Sequence, residues 1–159
     1  MPENSSTEAR ASVPASQEFC ARVAPWLLRW ALGVTFLSAV ADRFGVWGPP
    51  GTAGVSWGDW SHFVAYTAKV NSFVPAVLAP TLAVIATAAE LMLGVALILG
   101  VFTRPVAWAS TILLALFAGA MTLSFGIKAP LNYSVFVDLA AAFALSTWPA
   151  KPHLSQGGH

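Results

Sequence analysis

The feature that most constrains this chain is one long apolar run, PTLAVIATAAELMLGVALILGVF, from Pro80 to Phe102. As a helix rising 1.5 Å per residue, it is long enough to cross a hydrocarbon core of ~30 Å. Glu90 is its only charge. Only 9% of the whole chain is charged, whereas soluble domains carry about 25% charged residues. So few charges would not cover the surface of a soluble protein of this size, so the sequence predicts an integral membrane protein.

Three more apolar runs of similar length flank this one, and proline or glycine marks their borders. We predict four membrane spans, over about 25–45, 75–100, 104–126 and 131–148. Residues 1–24 are predicted to form a flexible polar tail with a short helix near 17–23, and residues 150–159 a second flexible tail.

A cleaved signal peptide is the alternative for the first span, because Ala39-Val40-Ala41 has the small-x-small form of a signal-peptidase cleavage site. The long polar segment before the span argues against it.

The seven tryptophans support four spans. In an up-down-up-down bundle they fall at two levels, with Trp26, Trp30, Trp108 and Trp148 at one and Trp47, Trp57 and Trp60 at the other. Tryptophan concentrates at membrane interfaces because its ring is apolar and its N–H is polar. The distribution of lysine and arginine favours cytoplasmic termini by the positive-inside rule, so we expect a multi-pass protein of the cell membrane with both termini cytoplasmic.

The connection between the first two spans contains a candidate surface helix. Apolar or small residues recur there at helical spacing, at Trp60, Phe63, Val64, Thr67, Val70 and Val74. This pattern predicts an amphipathic helix on the membrane surface or across the end of the bundle. An interfacial anchor is the favoured interpretation, and a substrate lid is the alternative. The predicted fold class is therefore an all-α integral membrane four-helix bundle with an amphipathic interfacial helix between spans one and two.

Two carboxylates lie deep within the predicted spans, Glu90 near the middle of the second and Asp138 near the middle of the fourth. A charge at mid-bilayer costs at least ~2.5–3.5 kcal/mol on insertion scales, so each acid should face the bundle interior. Glu90 shares one helix face with Thr87 and Gly94, and small residues allow close helix approach. We predict that both acids are functional. The alternative is that they only fix the register of the helices.

Arginines are the candidate partners of these acids. Arg29 lies ~6 Å from one membrane boundary and Glu90 ~15 Å from it, a difference that two extended side chains can span. We therefore predict an Arg29–Glu90 ion pair. Near the other boundary, we expect Arg43 to lean towards Asp138, with Asp42 and Lys128 beside them.

Several other function classes are disfavoured by the composition. A net charge of +1 gives no electrostatic argument for nucleic-acid binding. The single cysteine, Cys20, excludes an internal disulfide, a CxxC pair and a cysteine-rich metal site. No histidine lies inside a predicted span, which excludes bis-histidine haem ligation. We predict no metal site and no intrinsic cofactor.

Three segments, AVADRFGVWG, ATAAELMLGVALILGVFTRP and GIKAPLNYSVF, resemble the DoxX/DoxD-like membrane proteins. The resemblance covers roughly residues 22–150. Its most specific part is the E-x-x-x-G…G-x-x-T-R run, formed here by Glu90, Gly94, Gly100, Thr103 and Arg104, and Arg29 also fits the family pattern. The resemblance implies a four-helix bundle. Some members of that family are the small membrane subunit of a thiosulfate:quinone oxidoreductase, and others are partners of redox or stress-response systems.

From this resemblance, the first functional hypothesis is a redox-associated, quinone-linked membrane subunit. Glu90 and Asp138 would exchange protons with a bound quinone, and Arg29 or Arg43 would hold the anionic intermediate. Tyr133 would help to wall the site. Because no intrinsic redox centre is visible, electrons would have to come from a partner or a bound substrate, and whether the chain is catalytic by itself stays open.

Two alternatives belong to other classes. In the first, the protein is a non-catalytic assembly or anchoring subunit, whose charges fix the bundle and whose surface helix docks a partner. In the second, it is a small-solute permease, which four spans without inverted repeats disfavour. The expected partners are the lipid bilayer and either a partner protein or further copies of the chain, and no nucleic acid.

Overall fold

Helices make up the regular structure of this protein. A computed structural model describes residues 15–149, and no strand occurs among them. In chain order, the elements are α1 (Ala15–Arg43), α2 (Trp60–Val70), a 3₁₀ turn (Ala76–Leu78), α3 (Ala79–Leu99), α4 (Thr103–Phe125), α5 (Lys128–Asn132) and α6 (Val135–Thr147).

Three helical segments are long and apolar enough to cross a membrane: Ser16–Arg43, Ala76–Leu99 and Thr103–Phe125. The prediction of a membrane protein is thus confirmed, and these segments correspond to the first three predicted spans. The first is longer than expected, because residues 15–24 are helical and continuous with it, so the short helix predicted near 17–23 is part of α1 and not of a flexible tail. The predicted tail residues 1–14 and 150–159 lie outside the described part of the chain.

The fourth predicted span, 131–148, is not one helix. It is divided into α5 and α6 at Tyr133 and Ser134, and Ser134 has a left-handed backbone with φ of 56°. The 13 residues of α6 rise only about 20 Å at 1.5 Å per residue, less than a ~30 Å hydrocarbon core. Serine and asparagine compete for backbone hydrogen bonds and favour turns, which explains a break that apolar content alone does not predict.

Four of the helices pack as two antiparallel pairs, α1 with α3 and α4 with α6. Leu32 and Phe36 of α1, Leu97 of α3 and Leu145 of α6 belong to one buried apolar core. In the first pair the backbones approach closely at two glycines. A Cβ added to Gly33 would lie 3.0 Å from the carbonyl oxygen of Gly94, and one added to Gly94 would lie 3.2 Å from that of Gly33. Gly94 therefore brings the helix that carries Glu90 against α1.

The short helix α2 packs against α3 and α4 at the end of the bundle where α1 finishes, here called the α2 end. Asp59 caps its first turn, and Ser124 of α4 donates a 2.8 Å hydrogen bond to the carbonyl of Val70 at its other end. Phe63 and Thr67 are buried beneath it. Its exposed residues are Ser61, His62, Ala65 and Lys69. This division into two faces is the amphipathic pattern that the sequence predicts.

Candidate functional site

Three charged side chains are buried together at the α2 end. Asp42 and Arg43 are the last two residues of α1, and Glu90 lies in the middle of α3. Their exposed fractions are 5%, 3% and 2%. Buried charges need partners because water no longer solvates them, so their contacts define what this cluster does.

Arg43 and Glu90 form an ion pair. The Nη2 atom of Arg43 lies 2.6 Å from each carboxylate oxygen of Glu90. Its Nη1 atom donates a 2.7 Å hydrogen bond to Thr87 Oγ1, and that hydroxyl donates in turn to the carbonyl of Ala83. The stripe of small and polar residues on α3 therefore receives the guanidinium of α1, and the pair fixes the register of these two helices.

Aromatic rings from the α2 region cover the guanidinium. Arg43 Cζ lies 3.8 Å from the ring centroid of Phe63 and 5.4 Å from that of Trp57. The two rings pack edge to face, with centroids 5.0 Å apart. A cation over an aromatic face is attracted by the ring quadrupole, more strongly when water is excluded. Arg43 thus joins three elements, α1, α3 and α2.

Asp42 holds the connection between α1 and α2. Its Oδ2 atom accepts hydrogen bonds from the backbone N–H groups of Ser56 and Trp57, each at 3.0 Å. Adjacent side chains at the end of α1 therefore have different tasks: Asp42 binds the loop, and Arg43 binds Glu90 and the rings above it.

The predicted Arg29–Glu90 pair is wrong, and the direction of the side chains explains why. Helical side chains lean towards the N-terminus of their own helix. Because α1 and α3 are antiparallel, Arg43 leans into the bundle while Glu90 leans towards the α2 end, and the two meet. Arg29 leans away from Glu90. The sequence-based prediction compared the depths of the Cα atoms in the membrane and did not include the direction in which each side chain leans.

Arg29 instead binds the C-terminal end of α3. Its Nε donates a 2.9 Å hydrogen bond to the carbonyl of Leu97, and its Nη2 a 3.1 Å bond to that of Ile98. The last carbonyls of a helix lack intrahelical partners, and a cation there also suits the helix dipole. Gly100 follows with φ of 73° and contacts the guanidinium so closely that an added Cβ would overlap it.

Neither Asp138 nor Tyr133 forms a hydrogen bond or an ion pair with the buried cluster. Asp138 is in the first turn of α6, near the N-terminal end of a short helix, and not in the middle of a span. Arg43 does not pair with it, since the carboxylate that Arg43 binds is that of Glu90. Tyr133 ends α5 and is 58% exposed, so it does not wall an enclosed site.

The remaining motif residues hold helix ends together. Thr103 donates a 3.3 Å hydrogen bond to the carbonyl of Gly100 in the turn between α3 and α4. Arg104 Nε donates a 3.3 Å bond to the carbonyl of Ser146 near the end of α6. Arg104 therefore joins α4 to α6 as Arg29 joins α1 to α3.

Sequence reasoning missed Trp57 and Phe63 as partners of Arg43. The α2 periodicity identified Phe63 as an inward residue, but nothing in the sequence indicated that a cation lay beneath it.

No group of three or more His, Cys, Asp or Glu side chains in residues 15–149 is arranged to hold a metal ion. A groove of 470 Å³ beside the cluster has the lining Val40, Phe44, Trp60, Val84, Thr87, Ala88 and Leu91. Neither Arg43 nor Glu90 reaches this groove.

Comparison with known proteins corrects the family assignment. The model of the family described as methylamine utilisation protein MauE matches residues 21–132, which is more than half of the chain. The resemblance to the DoxX/DoxD-like proteins is therefore wrong, and the thiosulfate:quinone oxidoreductase type of function inferred from it is withdrawn. Apolar helices with small-residue faces follow from membrane packing in general, so they do not identify one membrane family. No curated protein and no solved structure matches the chain.

Proposed function

Since the chain belongs to the family of methylamine utilisation protein MauE, we propose that it is a non-catalytic membrane subunit that anchors or assembles a partner protein in methylamine utilisation. The observation that carries this proposal is the way the buried charges are used. The Nη1 and Nη2 atoms of Arg43 bind Thr87 and Glu90, and aromatic rings cover the guanidinium. The ion pair of Arg43 and Glu90 holds α1 against α3, and we call it the interhelical lock.

The surroundings of the pair support a structural role. A proton-exchanging acid needs a substrate or a water path within hydrogen-bond reach. Glu90 is 2% exposed, and the groove beside it is lined by other residues. Removing the lock would loosen α2, since Phe63 and Trp57 rest on the guanidinium.

In this proposal the membrane domain is a bundle of four elements. Three are α1, α3 and α4, and the fourth is the broken segment formed by α5 and α6. The extensive packing of α6 on α4 supports that assignment. The helix α2 lies at the membrane interface, because its buried residues face the bundle while Ser61, His62 and Lys69 are exposed. The positive-inside rule, with cytoplasmic termini, would put α2 on the non-cytoplasmic side.

The exposed face of α2 is the proposed docking surface. It carries a 2.9 Å contact between His62 Nδ1 and Asp59 Oδ2, together with Lys69 in the last turn of the helix. A polar, charged surface suits a water-soluble partner domain better than a lipid-embedded one. The lock beneath it keeps this face in one orientation.

The first experiment separates assembly from catalysis. The protein is purified from intact membranes of methylamine-grown cells as wild type, Glu90→Gln and the exposed control Glu18→Gln. We expect Glu90→Gln to lower the amount of partner recovered per membrane subunit, while methylamine oxidation per recovered complex is unchanged. Glu18→Gln should behave as the wild type. Normal recovery with reduced turnover per complex would contradict the proposal and assign chemistry to Glu90.

The second experiment locates the contact. A photo-crosslinking amino acid is placed at Ala65, which is exposed on α2, or at Leu123, which is 76% exposed on α4. We expect the partner of the methylamine system to be captured from Ala65 and lipid from Leu123. Capture of that partner from Leu123 but not from Ala65 would place docking on the membrane-embedded side.

A further inference from the structure

The end of the bundle opposite α2 carries cations without acids bound to them. We call it the arginine end, and it is formed where α1 and α4 begin and where α3 and α6 finish. Arg22, Arg29 and Arg104 lie there. Among residues 15–149, the carboxylates in salt-bridge contacts are those of Glu90 and Asp59 near α2, so none of these arginines is paired with an acid. Cations gathered in this way at one boundary of a membrane protein attract anions.

Two of these arginines flank the turn between α3 and α4. The guanidinium of Arg29 lies against Gly100 at the start of that turn, and Arg104 follows the turn as the second residue of α4. The Nε atom of Arg104 donates a 3.3 Å hydrogen bond to the carbonyl of Ser146, and the side chain is exposed. Its hydrogen bond to the described residues thus uses Nε, and the N–H groups of Nη1 and Nη2 are available to an outside acceptor. Such a planar fork matches two oxygens of a phosphate.

Exposed aromatic side chains put this turn at the membrane interface. On α1, Trp26 lies one turn before Arg29, and its ring is exposed. On α4, Trp108 lies one turn after Arg104 and is likewise exposed. In the turn itself, Phe102 is exposed and has a left-handed backbone with φ of 47°. Tryptophan concentrates where acyl chains meet lipid headgroups, so the two arginines lie at the level of the lipid phosphates.

We propose that the arginine end binds the phosphate of an anionic phospholipid, held by the fork of Arg104 and the charge of Arg29. The acyl chains then lie against the exposed rings of Trp26, Phe102 and Trp108. A zwitterionic headgroup fits less well, because it brings its own cation to a surface that already carries cations. The site lies opposite α2 and does not depend on the docking of a partner protein there.

The test is native mass spectrometry of the full-length protein in detergent. The protein is mixed with equal amounts of phosphatidylglycerol, which is anionic, and phosphatidylcholine, which is zwitterionic, with the same acyl chains. The headgroup preference is the ratio of the two lipids retained on the protein. We expect the wild type to prefer phosphatidylglycerol, and Arg104→Gln to lower this preference about fivefold, which is the change expected for one cation beside an anionic lipid surface.

Two further variants separate this site from a general effect of charge or of folding. Lys128→Gln removes an exposed cation at the α2 end, so the headgroup preference should stay that of the wild type. Arg104→Lys keeps the charge without the planar fork and should recover part of the preference lost in Arg104→Gln. Equal retention of the two lipids by the wild type, which needs no variant, would overturn the proposal. An equal loss of preference in Lys128→Gln and Arg104→Gln would overturn it as well.

Discussion

Two arginines of the same helix, 29 and 43, have opposite kinds of partner. Arg43 binds a buried carboxylate at 2.6 Å and is 3% exposed. Arg29 is only partly buried and binds two backbone carbonyls, those of Leu97 and Ile98, at the end of α3. One contact joins two formal charges in the buried interior, whereas the other joins a charge to the carbonyl dipoles at the end of a helix.

The loss of these two contacts should therefore lower the free energy of unfolding by different amounts. Removing one partner of a buried ion pair leaves an uncompensated charge, which costs about 3–5 kcal/mol. Removing a cation from a helix end leaves carbonyls that water can solvate near the interface, and such contacts contribute roughly 0.3–2 kcal/mol. The same residue type should therefore be far more sensitive at position 43 than at position 29.

The largest effect is expected from Arg43→Met. This change leaves the Glu90 carboxylate buried without its partner, and we expect the free energy of unfolding to fall by about 3–5 kcal/mol. The measurement is reversible unfolding in mixed micelles, titrated with a denaturing detergent and followed by tryptophan fluorescence.

The matched control for that prediction is the double variant Arg43→Met/Glu90→Met. Well-packed apolar residues often replace a buried ion pair at little cost, so we expect the double variant to recover most of the loss. A double variant as unstable as the single one would mean that the contacts of Arg43 with Phe63, Trp57 and Thr87 contribute more than the charge pairing.

A smaller effect is expected at Gly100, which lies against Arg29. An L-residue in the left-handed region costs roughly 1–2 kcal/mol, and the Cβ of Gly100→Ala would also displace the guanidinium. We expect a loss of about 2–3 kcal/mol, the sum of the strain and the weakened cap, in the same unfolding assay.

Gly119→Ala in α4 is the control for Gly100→Ala, because a Cβ there meets no atom within 4 Å. Alanine has the better helix propensity, so this variant should be neutral or slightly stabilising. Equal losses in the two variants would show that the assay reports glycine replacement in general and not the Arg29 cap.

Arg29→Ala should cost less than Gly100→Ala. It removes two hydrogen bonds to the carbonyls of Leu97 and Ile98 without adding backbone strain, and we expect about 1–2 kcal/mol. Arg29→Lys should recover part of this by keeping the charge. The unfolding free energies of the two variants check the order, and a loss at Arg29 as large as that at Arg43 would erase the distinction between the two sites.

Much of the fold followed from periodic apolar content. The three long spans and the two faces of α2 were predicted, because burial repeats along a helix and is visible in the sequence. The break at Ser134 was not predicted. The segment around it is apolar enough to read as one span, and the turn depends on a single left-handed residue. Hydropathy records how apolar a segment is and not where its backbone changes direction.

The candidate site was predicted less completely than the fold. The sequence identified Glu90 as inward-facing, but depth counting chose Arg29 as its partner in place of Arg43. Pairing in a bundle depends on the lean of each side chain and on the direction of both helices. The contacts of Asp42 with the N–H groups of Ser56 and Trp57 had no signal in the sequence, because loop backbone geometry has no periodicity.

The smallest effect is expected outside the membrane domain, at the Asp59 cap of α2. Its carboxylate accepts from the backbone N–H of His62 at 2.8 Å and from the hydroxyl of Ser61 at 2.7 Å. These hydrogen bonds, of which the one from the His62 backbone has the largest effect, hold the pKa of Asp59 below its ordinary value of 3.8.

A lowered folded-state pKa gives stability that is present above pH 3.8 and lost as pH falls below it. The protection factors of the α2 amides, which are their exchange rates corrected for the intrinsic pH dependence of exchange, should therefore be constant above this pH and fall below it. Asp59→Ser keeps a capping oxygen that does not titrate, so the loss of protection should disappear in that variant. If it persists, the acid sensitivity of α2 comes from the buried cluster beneath it, and the division between a rigid interior and a separately titrating surface cap is lost.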